Sequence, residues 1–174
     1  MSVERAAERA RKILQEQRIA TVPVDVERLA KRMGLRVIEE KLESEISGML
    51  YREGESAVIL INRDDAPVRK RFSIAHELGH YYLHANSSVF VDRRVRYRDS
   101  NSSQGIFREE IEANNFAAEL LMPEAQVFHE TTRLRARRFT LGDEELIEEL
   151  AKRFQVSRQA MEVRLANLGA LGTF

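Results

Sequence analysis

His76-Glu77-Leu78-Gly79-His80 is the stretch of this 174-residue chain whose residue types and spacing can do chemistry. Four residues of helix advance about 400°, so His76 and His80 project from one face about 6 Å apart. Two imidazoles at that spacing can bind one Zn²⁺ ion, each through a nitrogen at about 2.0–2.1 Å. Glu77 is offset from His76 by about 100°. It misses the ion but can reach a water held there, act on it as general base, and later return the proton to a departing amine. A pattern of two histidines and a glutamate also arises by chance on helices that hold no metal. Here it takes two of only four histidines, and the flanking Phe72, Ala75, Leu78 and Leu83 place it inside the protein.

A catalytic zinc needs a third ligand and an open position. His84 shares a face with His80, but on a straight helix it lies about 12 Å along the axis from His76, so it reads as a supporting or packing residue. His129 lies beyond Pro123 with no helical relation to an acid, which makes it a weak candidate. The segment Glu109-Glu110-Ile111-Glu112-Ala113-Asn114-Asn115-Phe116-Ala117 offers three carboxylates. On a helix Glu110, Ala113, Asn114 and Ala117 share one side, and the small alanines would let it lie close against the first helix at Gly79. In that packing Glu110 points at the metal and Asn114 can hydrogen-bond a ligand histidine. Glu112 is rotated about 200° away. Each acid also reads as a solvated charge near a helix start, and for Glu109 that reading is preferred.

These residues need two helices brought together. Asp64-Asp65-Ala66-Pro67 carries helix-start signals, predicting a helix from there to about Ala85. The second helix should run from Glu109 to Met122 and stop at Pro123. Ahead of them, apolar residues at Val3, Ala6, Ala7, Ala10, Ile13 and Leu14 predict an amphipathic helix whose stripe is core or a partner surface. Another short helix is expected from about Asp25, with Gly34 just past its end. Leu35–Ile38, Met49–Tyr51 and Ala57–Ile61 read as strands, the last so continuously apolar that cover on both faces is expected. Asn86 to Gln104 is polar and suits a mobile loop or an edge hairpin that could gate the cleft. Two more helical patterns, about Asp143–Phe154 and Arg158–Leu168, close the chain. The expected architecture is α+β: a small, mainly antiparallel sheet packed on the helices of the zinc site, with a helical C-terminal segment. One domain over 1–174 is expected, with about 139–174 as a helical subdomain.

Composition narrows the partners. The 28 Lys and Arg balance 28 Asp and Glu, so there is no global attraction to nucleic acid. The C-terminal helix pair could be a DNA-reading helix-turn-helix, but from Phe139 onward four basic residues face six acidic ones. That segment would repel phosphates, so packing or substrate docking is favoured and no direct nucleic-acid binding is expected. The basic stretches Arg93–Arg98 and Arg133–Arg138 read as solvated faces, the first also as a dock for an acidic part of a protein substrate. Tyr81 and Tyr82 follow the motif and read as core aromatics rather than oxyanion donors. With no cysteine, no membrane-length apolar run and no apolar signal core after Met1, a cytoplasmic protein is expected.

The two motifs together resemble one family. Arg71 to His80, His84 and Glu110 to Pro123 look like the ImmA/IrrE family of zinc metallopeptidases, and the similarity extends through Leu150–Ser157 and Leu165–Gly169, covering roughly Asp25 to Leu171. The resemblance implies a thermolysin-like site with His76 and His80 as ligands, Glu77 as base, and Glu110 matching the glutamate that serves as third ligand. It further implies cleavage of a helix-turn-helix transcriptional repressor, relieving repression in mobile-element or stress responses. Some members carry a sensor domain after the peptidase, for which 174 residues leave no room. The competing readings are a repressor-binding module that does not cut, and a DNA-binding regulator with a structural metal site.

Overall fold

A computed structural model describes residues 3–54, 56–84, 89–93, 103–138 and 141–171. The elements run α1 (Val3–Glu16), α2 (Val26–Arg32), β1 (Arg36–Glu40), β2 (Ile46–Glu53), β3 (Ser56–Asn62), α3 (Pro67–Leu83), β4 (Val89–Arg93), α4 (Ser103–Leu121), α5 (Glu124–Arg137), α6 (Asp143–Phe154) and α7 (Arg158–Asn167). The strands form one sheet in the order β1-β3-β2-β4, with β1 parallel to β3 and the other two pairings antiparallel. This is the α+β architecture expected of the sequence.

Local chemistry accounts for most of the boundaries. Asp25 caps α2 by accepting from the Arg28 amide at 2.9 Å, and Gly34 takes the positive φ of +81° that the chain needs to leave that helix. Pro67 opens α3, where its missing N–H costs nothing. Ser157 caps α7 by accepting from the Ala160 amide at 3.1 Å. One core runs through the molecule. It joins Leu50, Ile59 and Ile61 of the sheet to Ile74 and Leu78 of α3, to Phe116 and Leu120 of α4, and to Leu150, Phe154 and Leu165 of the last helices.

Four expectations change. First, β3 is covered on one face only. Ala57, Ile59 and Ile61 are buried toward α3, whereas Val58 and Leu60 are partly exposed. They share that outer face with Ile38, Tyr51 and Val89, each large, apolar and exposed. An apolar run cannot say how many layers lie against it. Second, α5 follows directly on Pro123, where the sequence suggested no helix. Its buried face is only Val127, Glu130 and Thr131, so the apolar stripe is faint. The buried Glu130 carboxylate is instead paired with Arg133 at 2.6 Å and Arg153 at 3.2 Å. Third, α4 starts at Ser103 rather than near Glu109. Fourth, the Asn86–Gln104 stretch contains β4, an edge strand paired with β2, and the first residues of α4; residues 86–88 and 94–102 lie outside the described set. The basic run Arg133–Arg138 is largely spent on ion pairs: besides Arg133, Arg135 meets Asp143 at 3.1 Å and Arg138 meets Glu145 at 3.6 Å. Of the other basic stretch only Arg93 falls within the described residues, at the end of β4.

Candidate metal centre

α3 and α4 pack against each other through Gly79 and Ala113. A Cβ built on Gly79 would lie 3.0 Å from the Ala113 Cα and 3.1 Å from its carbonyl oxygen, so the two backbones approach as closely as a glycine permits. That approach sets His76 and His80 of α3 opposite Glu110 of α4. The two Nε2 atoms are 3.0 Å apart, and the Glu110 carboxylate oxygens lie 3.4 Å from His76 Nε2 and 3.3 Å from His80 Nε2. Three ligands held at about 2.0–2.1 Å around a tetrahedral zinc are separated by about 3.3 Å, so these spacings could accommodate a metal ion. All three side chains are buried. Among the described residues, this is the group of histidines and acids whose atoms converge closely enough to hold an ion.

The electrostatics fit a cation as well. Burial pushes the Glu110 carboxyl up, but hydrogen bonding and charge interaction with the His76 and His80 imidazoles outweigh it and hold the group well below the ordinary carboxylate range. Burial, more than any other cause, pushes His80 down, which favours the neutral imidazole that a metal requires. His76 Nδ1 lies 2.9 Å from the Asn114 side-chain oxygen, which accepts a hydrogen bond from it, so that with an ion in place of the protons shared with Glu110 the His76 Nε2 would turn a lone pair inward. Three electron-donating atoms therefore face one point, and a positive ion satisfies them all.

Glu77 is fully buried beside this cluster without belonging to it. Its place depends on Gly48, whose sequence reading is only that of a break between short strands. A Cβ on Gly48 would meet Glu77 Oε1 at 3.2 Å, Ser73 Cβ at 3.3 Å and Ile61 Cδ1 at 3.4 Å. Gly48 lies where the β2–β4 register slips between Ile46 and Gly48, so the strand bulges at the site. Gly48→Ala is expected to push the Glu77 carboxylate aside. It should lower peptide cleavage by as much as about 100-fold with zinc content unchanged, and paired rate and metal assays would measure both. An unchanged rate would mean that the carboxylate position tolerates the shift.

Other groups support the scaffold. Arg52 of β2 donates to the carbonyls of His80 and Tyr81 at 2.9 and 2.6 Å, at the last turn of α3, where the His80 carbonyl also accepts from the His84 amide at 3.0 Å. Its guanidinium also lies over the Tyr81 ring, 4.9 Å from the centroid. Tyr82 stacks near Phe116 and under Arg9, and burial above all pushes its hydroxyl up to about 12. Both tyrosines are thus engaged in packing. Phe90 of β4 stacks on the His80 ring with centroids 4.3 Å apart. Neither Arg52 nor Phe90 carried a signal in the sequence, since each reaches α3 from a distant strand. Glu109 is half-buried and His129 exposed, and neither joins the cluster. Glu112 stays off the metal cluster, as its rotation suggested, yet it is buried, with one oxygen 3.1 Å from His84 and the other accepting from Arg108 at 3.1 Å.

Residues 30–166 match the Peptidase M78 family, described as the IrrE N-terminal-like domain. The chain belongs to this family. It is 31% identical over 116 residues to an uncharacterized immunity region protein 2 of Bacillus phage phi105, covering 66% of each chain. It is 36% identical over 111 residues to the radiation response metalloprotease IrrE of Deinococcus radiodurans, which is 62% of this chain but only 31% of that one. The M78 chain described here thus spans about two thirds of the phage relative and under one third of IrrE. A Mycobacterium tuberculosis transcriptional regulator shares the fold, with a TM-score of 0.64 at 19% identity over 94% of this chain and 46% of that one. The family is one of metallopeptidases, and the His-His-Glu group of this member could bind a metal. No helix among the described residues is long and apolar enough to cross a membrane.

Proposed function

We propose that this M78 chain is a zinc-dependent endopeptidase that cleaves a protein, a helix-turn-helix transcriptional repressor, and so relieves repression. The observation that carries the reading is the convergence of His76, His80 and Glu110 at tetrahedral spacings, with Glu77 one residue along the same helix. His76, His80 and Glu110 would hold the ion. Zinc, when bound there, would supply Lewis acidity toward the scissile carbonyl and toward water, lowering the water's pKa toward about 7. Glu77 takes the proton of the attacking water and delivers it to the departing amine nitrogen. The buried surroundings of Glu77 strengthen that exchange by keeping bulk water from its carboxylate.

A regulatory protein as substrate is supported by the phage relative, which is named for an immunity region. Stress response is supported by the relative named for radiation response. The lack of cysteine suits the reducing cytoplasm, where such a repressor works. The peptidase would occupy the chain as one domain, with the helices after about residue 139 as a helical subdomain that packs on it or docks substrate. The net negative charge of that subdomain disfavours direct DNA binding.

The test is to incubate the zinc-loaded protein with a purified helix-turn-helix repressor taken from the genes nearest its own. A cut at one bond, read by intact mass and abolished by chelator, is the expected result. A repressor that stays whole and keeps its operator affinity overturns the reading. A whole repressor released from its operator supports the alternative, a module that binds without cutting.

A further inference from the structure

We propose that His84 and Glu112 form a positioning relay that fixes the tautomer and tilt of His80 and so sets the metal affinity of the site, an inference that rests on the metal-centre reading above. His84 follows the last residue of α3, in the helix-cap position. Its Nδ1 lies 3.1 Å from His80 Nδ1, and its Nε2 lies 3.1 Å from Glu112 Oε2. The other oxygen of Glu112 accepts from Arg108 Nε at 3.1 Å. His84 and Glu112 are both buried.

The direction of every bond in this chain follows from the carboxylate. An ionised carboxylate only accepts, so His84 carries its proton on Nε2. The Nδ1 of neutral His84 is then an acceptor. The bond between the two rings therefore runs from His80 Nδ1–H to His84 Nδ1, and His80 is left with a bare Nε2 facing His76 and Glu110. Arg108 holds the other carboxylate oxygen and so fixes the carboxylate's orientation toward His84. Phe90, stacked 4.3 Å from the His80 ring and 6.0 Å from that of His84, walls the pair with an apolar surface that offers no competing partner. Asn114 orients His76 directly, whereas His80 is oriented by a carboxylate acting through a second imidazole. Glu112 is buried for this reason, although helical rotation sets it away from the cluster.

Zinc affinity by chelator competition, and histidine tautomers by long-range ¹H–¹⁵N spectra, test the proposal on the full chain. In the zinc-loaded wild type, His84 is expected as the Nε2–H tautomer and His80 as Nδ1–H. His84→Phe and Glu112→Leu are each expected to weaken zinc binding by about 10- to 100-fold. Glu112→Gln, which keeps an accepting oxygen toward His84, should remain within a few-fold of wild type. A role confined to packing would leave the tautomers unset and would not distinguish leucine from glutamine. His84 found as Nδ1–H or doubly protonated in the zinc-loaded wild type overturns the relay, even where the variants fail to fold. Folded variants that bind zinc as tightly as wild type overturn it too. A wild type that binds no zinc overturns the metal-centre reading itself, and that outcome is distinct from both.

Discussion

Glu77→Gln is expected to abolish cleavage while zinc stays bound at the wild-type stoichiometry. The two side chains are nearly isosteric, so the fit of residue 77 beside Gly48 is preserved. Glu77 stands outside the His76, His80 and Glu110 cluster, so nothing is removed from the ion. What is lost is the proton acceptor. A glutamine amide cannot take a proton from water near neutral pH, and positioned general bases contribute about 10²–10⁴-fold. Cleavage of a protein substrate by the variant should therefore fall by about that factor, measured beside zinc content and thermal stability. A rate within tenfold of wild type, in a preparation free of other proteases, would remove Glu77 from the mechanism.

Gly79→Ala is expected to damage both fold and metal site, against the ordinary rule for helices. In the middle of an exposed helix alanine is better than glycine by about 0.5–1 kcal/mol. At Gly79 the added methyl would lie 3.0 Å from the Ala113 Cα and 3.1 Å from its carbonyl oxygen, and these are backbone atoms that cannot swing away. The helices must part, at a cost of about 1–3 kcal/mol typical of overpacking, which exceeds the propensity gain. The ligand set straddles this contact, with two histidines on one helix and the glutamate on the other, so separation stretches the spacings of 3.0, 3.4 and 3.3 Å. Lower stability of the metal-free protein to denaturant and weaker zinc binding should appear together. A variant at least as stable as wild type would show that α3 and α4 can part without strain.

What could be read from residues alone is what short-range periodicity controls. The four-residue step from His76 to His80 places two imidazoles on one side of any helix, whatever surrounds it. The same periodicity groups Glu110, Ala113, Asn114 and Ala117, and glycine against alanine is a local statement about how near two helices can come. Helix starts at Asp25 and Ser157 are likewise written in the capping side chains, and that of α3 in the fixed φ of Pro67.

Contacts between elements distant in sequence are another matter, because no period along one segment reports what lies across from it. Gly48 meets Glu77 across the gap between β2 and α3, and Arg52 reaches the end of α3 from the same strand. Whether β3 had one covered face or two depended on layers that its own residues cannot reveal. α5 escaped notice because a buried ion pair stands where an apolar stripe would have marked it. Rotation correctly separated Glu112 from Glu110, but whether a carboxylate off the metal face meets solvent or another side chain is decided by the neighbouring helix. Here His84 lies beyond the last turn of α3, and Glu112 is buried against it. The sequence by itself determined which side chains could share a metal; tertiary packing decided which of their neighbours would orient them.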